Sequence, residues 1–148
     1  MTASPEDLAY FNANLGGFNR AMGLAFTQVT ADEVVGELTI AEQHLQPYGV
    51  VHGGVHAGII EAACSTGGAV HAMKNGQSVV GVENATSFLR AARSGKITVT
   101  ARPVSRGRRT QVWEATVRDE QGRALATGRV RLMSLETGEA LAGKPVGV

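Results

Sequence analysis

The chain has 148 residues, 43% of them hydrophobic and 18% charged, which indicates a globular domain and excludes a disordered chain. The only cysteine, Cys64, cannot form a disulfide within the chain, which excludes a cross-linked secreted scaffold and favours the reducing cytoplasm. The first residues lack signal-peptide features, and no apolar run reaches the roughly 18 residues of a membrane span. We therefore expect one domain over residues 1–148 and no membrane partner.

The first half of the chain is typical of short helices, a hairpin and one long helix. Residues 54–74 carry almost no charge, and a helix that is apolar on all sides is buried on all sides. In chain order, the predicted elements are a helix from Pro5 with Ser4 as its cap, a helical turn ending at Met22, strands over 24–29 and 34–41, a loop over 44–54, and a helix over 54–74.

The second half of the chain is typical of strands. Ile97, Val99 and Ala101 recur at every second position, which is the pattern of a half-buried strand. The short connections between the last strands predict an antiparallel meander. The predicted strands are a bulged extended stretch over 78–83 and 85–92, then 96–103, 110–118 and 124–132, followed by a loosely ordered tail from residue 136. The sequence thus predicts an α+β fold in which one antiparallel sheet of about six strands wraps one buried helix.

Charge is divided unevenly between the two halves. Residues 1–89 hold two basic and eight acidic side chains, whereas residues 90–148 hold twelve basic and five acidic ones. Most of the basic residues are arginines, which suit bidentate contacts to phosphate. The basic half could therefore face a phosphorylated small ligand, nucleic acid or only water. The arginine-rich strands lack interleaved aromatic residues, which argues against binding of single-stranded nucleic acid.

Two features at the long helix suggest chemistry. His52, Gly53 and Gly54 lie where the helix begins, and the first N–H groups of a helix can hold a polarised carbonyl oxygen. Glu61 lies within the apolar stretch, where a carboxylate is costly unless it is paired or functional. A structural glutamate, bonded to the backbone or to a serine, is the alternative interpretation. Ser65 is four residues further on and shares the helical face of Glu61.

The spacing of these features constrains how they could cooperate. Glu61 comes nine residues after His52, so the two lie about 13 Å apart along a helix. One small scissile bond cannot touch both in the same chain. If both act, they come from two chains whose helices run antiparallel, an arrangement that a two-fold dimer supplies.

The segment 46–49, followed by His52-Gly53-Gly54, Glu61 and Ser65, resembles the hotdog-fold acyl-CoA thioesterases. The most similar group includes the 4-hydroxybenzoyl-CoA and 1,4-dihydroxy-2-naphthoyl-CoA thioesterases. The resemblance extends over most of the chain and implies a single hotdog domain that hydrolyses an aromatic or medium-chain acyl-CoA. It also implies a dimer or a dimer-of-dimers tetramer with active sites at the dimer interface. CoA belongs to the substrate, so no cofactor is expected.

The resemblance also implies roles for individual residues. Glu61 would be the nucleophile or general base, the Gly53 N–H would polarise the carbonyl with support from His52, Gln46 would assist at the carbonyl or leaving group, and Ser65 would help to place water. For binding of the CoA portion, the resemblance implies contacts from Gly81, Phe88, Leu89, Arg90, Ala91, Ser105, Arg106, Gly107, Arg108, Arg109 and Thr110.

Other interpretations remain open at this stage. Cys64 with a histidine would suggest a cysteine hydrolase, although a free cysteine is more often a small buried residue. His52 and His56 are spaced as metal ligands, but the local sequence offers no convincing third ligand, so no metal is expected. A non-catalytic acyl-CoA-binding protein and a hotdog hydratase or dehydratase are alternative functions within the same fold.

Overall fold

A computed structural model of the chain describes residues 5–146. Its helices are α1 (Pro5–Ala13), α2 (Gly16–Met22) and α3 (Gly53–Met73), with a short 3₁₀ turn at Glu42–His44. Its strands are β1 (Ala25–Val29), β2 (Val34–Thr39), β3 (Gln77–Phe88), β4 (Lys96–Arg106), β5 (Thr110–Arg118), β6 (Ala124–Glu136), β7 (Ala140–Leu141) and β8 (Lys144–Pro145). None of the helices within residues 5–146 is long and apolar enough to cross a bilayer.

Six strands form one antiparallel sheet in the order β1-β2-β4-β5-β6-β3, and α3 packs against β2 to β6. The predicted alternation in β4 is confirmed, since Ile97, Val99 and Ala101 are all buried. Trp113 of β5 is also completely buried. The sheet face toward α3 therefore forms the core. Burying each large apolar side chain there stabilises the fold by about 1.5–3 kcal/mol.

Glycines bring α3 close to the sheet. A side chain at Gly67 would collide with the Trp113 ring, and one at Gly68 would collide with Leu132. The Trp113 indole N–H donates to Gln111 Oε1 (2.8 Å), and the Gln111 amide donates to the Gly68 carbonyl (3.1 Å). These two buried hydrogen bonds connect β5 to α3 and fix the distance between them.

Parts of the structure differ from the sequence-based prediction. The extended stretch expected to reach residue 92 ends as β3 at Phe88, because the next two N–H groups, of Leu89 and Arg90, both donate to the Leu125 carbonyl and end the regular ladder. The tail is more ordered than expected, since β7 and β8 form a small hairpin there. The predicted second helical turn corresponds to α2, which begins at Gly16 and ends at Met22 as expected. The Ser4 cap lies outside the described residues.

Asn12 joins α1 to the edge of the sheet. Its amide donates to the Phe26 carbonyl (2.9 Å), and its carbonyl accepts from the Phe26 N–H (2.8 Å). We expect Asn12→Ala to lower the free energy of unfolding by about 1–3 kcal/mol, because it leaves both backbone groups of Phe26 without their partner. Chemical denaturation measures the change. Asn14→Ala removes an exposed local bond to Tyr10 and should cost less; equal losses would contradict the prediction.

Candidate active site

The start of α3 presents a free backbone donor. His52 is the N-cap residue, and its Nδ1 accepts the Gly54 N–H (2.8 Å) while its carbonyl accepts the Val55 N–H (2.9 Å). The His52 N–H in turn donates to the His44 carbonyl (2.8 Å), which fixes the entry of the chain into the helix. In the described part of the chain, the Gly53 N–H is therefore the first donor left for a ligand at the positive end of the helix dipole.

A pocket of about 370 Å³ opens at Gly53. The Phe88 ring lies directly over Gly53, since a Cβ there would be only 2.6 Å from Phe88 Cζ. Only glycine therefore fits at the point where the helix N–H meets the pocket. The pocket brings together several of the predicted residues and is lined by Gln46, Val50, Val51, Gly53, His56, Phe88, Leu89, Arg90 and Ala91.

The loop that carries Gln46 is held from two sides. The Gln46 side-chain carbonyl accepts the Tyr48 N–H, which leaves the amide NH₂ of Gln46 for a ligand. Arg93 donates to the carbonyls of Tyr48 (2.8 Å) and Gly49 (3.2 Å). Gly49 has a φ of +75°, a conformation that favours glycine in this turn. These hydrogen bonds restrict the conformation of the loop and so hold Gln46 at the wall of the pocket.

Glu61 occupies a second, separate position on α3. It is half-buried, and its Oε2 accepts a hydrogen bond from the side-chain amide of Asn84 on β3 (3.0 Å). Its Oε1 lies over Gly81, where a Cβ would collide with it. Gly81, which the resemblance assigns to CoA, therefore also makes room for the carboxylate. Ser65 lies one turn further along α3 and is half-buried.

One of these contacts, that between Glu61 and Asn84, could not be found from the sequence. The partner of Glu61 is Asn84, rather than the backbone or a serine, and it is 23 residues away. The structure also separates the two halves of the expected site within one chain. Glu61 is eight residues beyond Gly53, which is about 12 Å along α3.

The remaining predicted CoA contacts lie at the β4–β5 turn. Arg106 donates to the Ala31 carbonyl (2.6 Å) and pairs with Asp32 (2.9 Å), and this hydrogen bond lowers the pKa of the Asp32 carboxyl. Residues 105–110 are all exposed. Three of them line a polar pocket of about 430 Å³ near the end of α3, whose walls are His71, Asn75, Gln77, Arg106, Gly107, Arg108 and Glu136.

Cys64 and the histidines do not form an alternative centre. Cys64 is completely buried, and burial raises the pKa of its thiol far above the usual range, so the expected apolar role is confirmed. Among residues 5–146, no three His, Cys, Asp or Glu side chains gather closely enough to hold a metal ion.

His56 predicts a pH dependence of stability. Its ring is 3% exposed, burial lowers its pKa below 6.5, and Nδ1 is buried without a partner in the described chain. Below pH 6.5 the unfolded chain therefore binds more protons than the folded one, and stability is lost as the pH falls through the folded-state pKa. We expect the free energy of unfolding to fall between pH 7 and 5, with a contribution from His56 of up to about 1.4 kcal/mol per pH unit. Denaturant titrations of His56→Leu should show a shallower fall; an unchanged slope would contradict the prediction.

Comparison with known proteins decides the family. The sequence profile of the thioesterase superfamily matches residues 48–126, which is more than half of the chain. This chain belongs to the thioesterase superfamily. It is 40% identical over 138 residues to Rv1847 of Mycobacterium tuberculosis (strain H37Rv), a protein whose name places it provisionally among the esterases. That match covers 92% of this chain and 98% of Rv1847.

Two further relatives are named as thioesterases. The chain is 32% identical over 117 residues to the proofreading thioesterase EntH of Cronobacter sakazakii, covering 79% of this chain and 85% of EntH. The solved structure of thioesterase HI1161 from Haemophilus influenzae superposes with a TM-score of 0.84 at 28% identity, covering 89% of this chain and 92% of that one. The expected hotdog fold is thereby confirmed, and this superfamily member is a thioester hydrolase.

Proposed function

We propose that the protein is a cytoplasmic acyl-CoA thioesterase in which Glu61 is the catalytic carboxylate. The observation that carries the proposal is the placement of Glu61 on α3. It is the acidic residue of an otherwise apolar helix, it is half-buried, and a side chain on the opposing strand holds one of its oxygens. The same helix offers the Gly53 N–H at its start, so one element supplies both a base and an oxyanion donor.

The 12 Å between Gly53 and Glu61 calls for a second copy of the chain. Within the described sheet, β3 pairs with β6 on one side, and its other edge is open. Val82 and Phe88 on β3 are 53% and 59% exposed, which is unusual for large apolar side chains on a strand. Antiparallel pairing of two β3 strands would place Glu61 of one protomer near Gly53 of its partner. A homodimer, or a tetramer of two such dimers, completes two sites in this way.

Two pockets lie at the start of α3, and each suits a different part of an acyl-CoA. The 370 Å³ pocket beside Phe88–Ala91 suits the extended arm of CoA. The exposed arginines of the 105–110 turn suit its phosphates, and because this turn lies near the other end of α3 in the same chain, it would come from the second copy. A second pocket of about 420 Å³ adjoins His52 and Gly54 on the other side. Phe18, Met22 and Val55 line it, and this apolar surface suits an aromatic or medium-chain acyl group.

The proposed reaction is hydrolysis of the thioester bond. The Gly53 N–H, with the Gln46 amide nearby, stabilises negative charge on the carbonyl oxygen as the carbonyl carbon is attacked. Glu61 either accepts a proton from the attacking water or attacks the carbon itself, and Ser65 helps to place the water. The carbon–sulfur bond then breaks, and CoA leaves as a thiolate that takes up a proton. Attack by water gives the free acid directly, whereas attack by Glu61 gives an anhydride that water then hydrolyses to the acid and the free Glu61 carboxylate.

A thiol-release assay over a substrate panel tests the proposal. The panel contains benzoyl-, hydroxybenzoyl-, phenylacetyl- and hydroxynaphthoyl-CoA, aliphatic acyl-CoAs of graded length, and the same acyl groups on an acyl carrier protein. We expect turnover of one class of acyl-CoA, with size-exclusion chromatography showing at least a dimer. Turnover of carrier-protein thioesters alone would contradict the CoA assignment. CoA binding without hydrolysis of any member would contradict the catalytic one.

A further inference from the structure

Asn84 takes part in three hydrogen bonds, one of which is to Glu61. Its amide NH₂ donates to Glu61 Oε2 (3.0 Å) and to the Ala57 carbonyl (3.1 Å), one turn earlier on α3. Its amide oxygen accepts from the Thr86 hydroxyl (2.6 Å). Because the Ala57 carbonyl and the Glu61 carboxylate can only accept, the NH₂ group of Asn84 faces them and its oxygen faces the Thr86 hydroxyl, which can donate. A strand side chain is thus tied to both the backbone and the carboxylate of the helix.

We propose that Asn84, oriented by Thr86, is a positioning residue that makes Oε1 the reactive oxygen of Glu61. The inference rests on the proposed role of Glu61 in thioester hydrolysis. A glutamate has three rotatable side-chain bonds, and a rate that depends on one oxygen falls when the carboxylate samples other rotamers. The bond to Oε2 removes that freedom and leaves Oε1 to take the proton of water or to attack the carbonyl carbon.

The surroundings of the other oxygen agree with this division of roles. Oε1 lies over the bare face of Gly81, in the position that a Cβ would take. In the described chain a hydrogen bond holds Oε2 but none holds Oε1. One carboxylate oxygen is therefore fixed by Asn84, and the other lies against a glycine and remains free to accept a hydrogen bond.

The strand next to β3 accommodates the Thr86 hydroxyl. Thr86 pairs with Gly128 of β6, and a Cβ at Gly128 would be 2.6 Å from Thr86 Oγ1. A glycine at this position leaves the rotamer in which Thr86 donates to Asn84 free of collision. Gly128 thus allows the Thr86 rotamer that donates to Asn84, and Asn84 in turn donates to Glu61.

Steady-state kinetics of the full-length protein test the inference. We expect Asn84→Ala to lower kcat by about 10- to 100-fold with little change in KM, because a hydrogen bond to a charged group is lost while the substrate contacts remain. Thr86→Val should lower kcat by about 3- to 10-fold, and Thr86→Ser, which keeps the hydroxyl, should restore it. Ser87→Ala, on the next position of the same strand, is the control and should leave kcat unchanged.

The pH profile separates positioning from a merely structural role. In Asn84→Asp, a second carboxylate lies beside Glu61 and disfavours its ionised form, so the acidic limb of kcat/KM should move to higher pH. A loss of thermal stability alone would not move this limb. Wild-type kcat in Asn84→Ala, or an unmoved limb in a folded Asn84→Asp variant, would overturn the inference.

One further variant distinguishes this inference from the proposed function. If Glu61→Gln keeps full activity, the proposed role of Glu61 is wrong, whatever the Asn84 variants do. If Glu61→Gln is inactive while Asn84→Ala and Thr86→Val are fully active, the role of Glu61 stands and only the positioning by Asn84 is overturned.

Discussion

Replacing Glu61 with glutamine should lower the rate of thioester hydrolysis by about 100- to 10,000-fold and leave the fold intact. Glutamine keeps the shape of the side chain, and its carbonyl can still accept the hydrogen bond from Asn84. It can neither accept the proton of the attacking water nor attack the thioester as a carboxylate. General-base or nucleophilic catalysis contributes a factor of about 100 to 10,000, so loss of the carboxylate should be visible in kcat.

The control for this prediction is Glu83→Gln. Glu83 is an exposed carboxylate on the same strand as Asn84, so the change removes the same charge from the same region without altering Glu61. We expect its kcat to stay within about two-fold of the wild-type value, while circular dichroism and thermal unfolding confirm that both variants fold. Near wild-type turnover by Glu61→Gln, measured by thiol release, would remove Glu61 from the mechanism.

Isotope labelling then separates the two ways in which Glu61 could act. In a single turnover carried out in H₂¹⁸O, attack by the carboxylate forms an anhydride with the acyl group, and its hydrolysis can place ¹⁸O in Glu61. Water activated by Glu61 places the label only in the released acid. Mass spectrometry of the peptide that contains Glu61 reads the difference directly.

The sequence predicted the sheet and the long helix well because both depend on local periodicity. Ile97, Val99 and Ala101 alternate with polar residues, and each is buried as that alternation requires. Apart from Glu61 and the terminal Lys74, residues 54–74 carry no charge on any face, so a buried helix was the natural interpretation. Glu61 was conspicuous for the same reason, since a carboxylate in such a helix needs a partner or a purpose.

The partner of Glu61 was out of reach of this reasoning because β3 is bulged. The register of β3 against β6 shifts between Gly81 and Glu83, so one residue is inserted into the alternation. Gly81 and Asn84 both contact Glu61, although they are three positions apart and a regular strand would point them to opposite faces. Periodicity alone therefore places Asn84 on the wrong side of the strand, and only the pairing register reveals the contact.

The surface at which two chains would associate could not be located from the sequence, for a different reason. Motif spacing indicated that His52 and Glu61 could not act on one bond in the same chain, and their separation follows from helix geometry alone. The surface that would bring two chains together depends on which strand lies at the sheet edge, and strand order is set by long-range pairing. The position of β3 at that edge emerged only with the sheet topology.

Gly81→Ala should lower kcat by about 100-fold while the protein remains as stable as the wild type. The new methyl group would occupy the position of Glu61 Oε1. The carboxylate can swing away at little cost to folding, because it is the far end of a flexible and half-buried side chain. The swing, however, breaks its alignment with the Asn84 amide, and a displacement of about 1 Å in a reacting group can cost about 100-fold in rate.

The division of the effect between kcat and KM decides what Gly81 does. If Gly81 serves mainly as a CoA contact, its substitution should raise KM and leave kcat nearly unchanged. If it serves Glu61, kcat should fall, and the shorter carboxylate of Glu61→Asp should make the Gly81→Ala change less harmful in the double variant. Gly17→Ala is the control, since a Cβ at Gly17 meets no atom within 4 Å, and it should leave both constants unchanged. A Gly81→Ala enzyme with wild-type kcat and KM would show that the carboxylate reacts equally well from its displaced position.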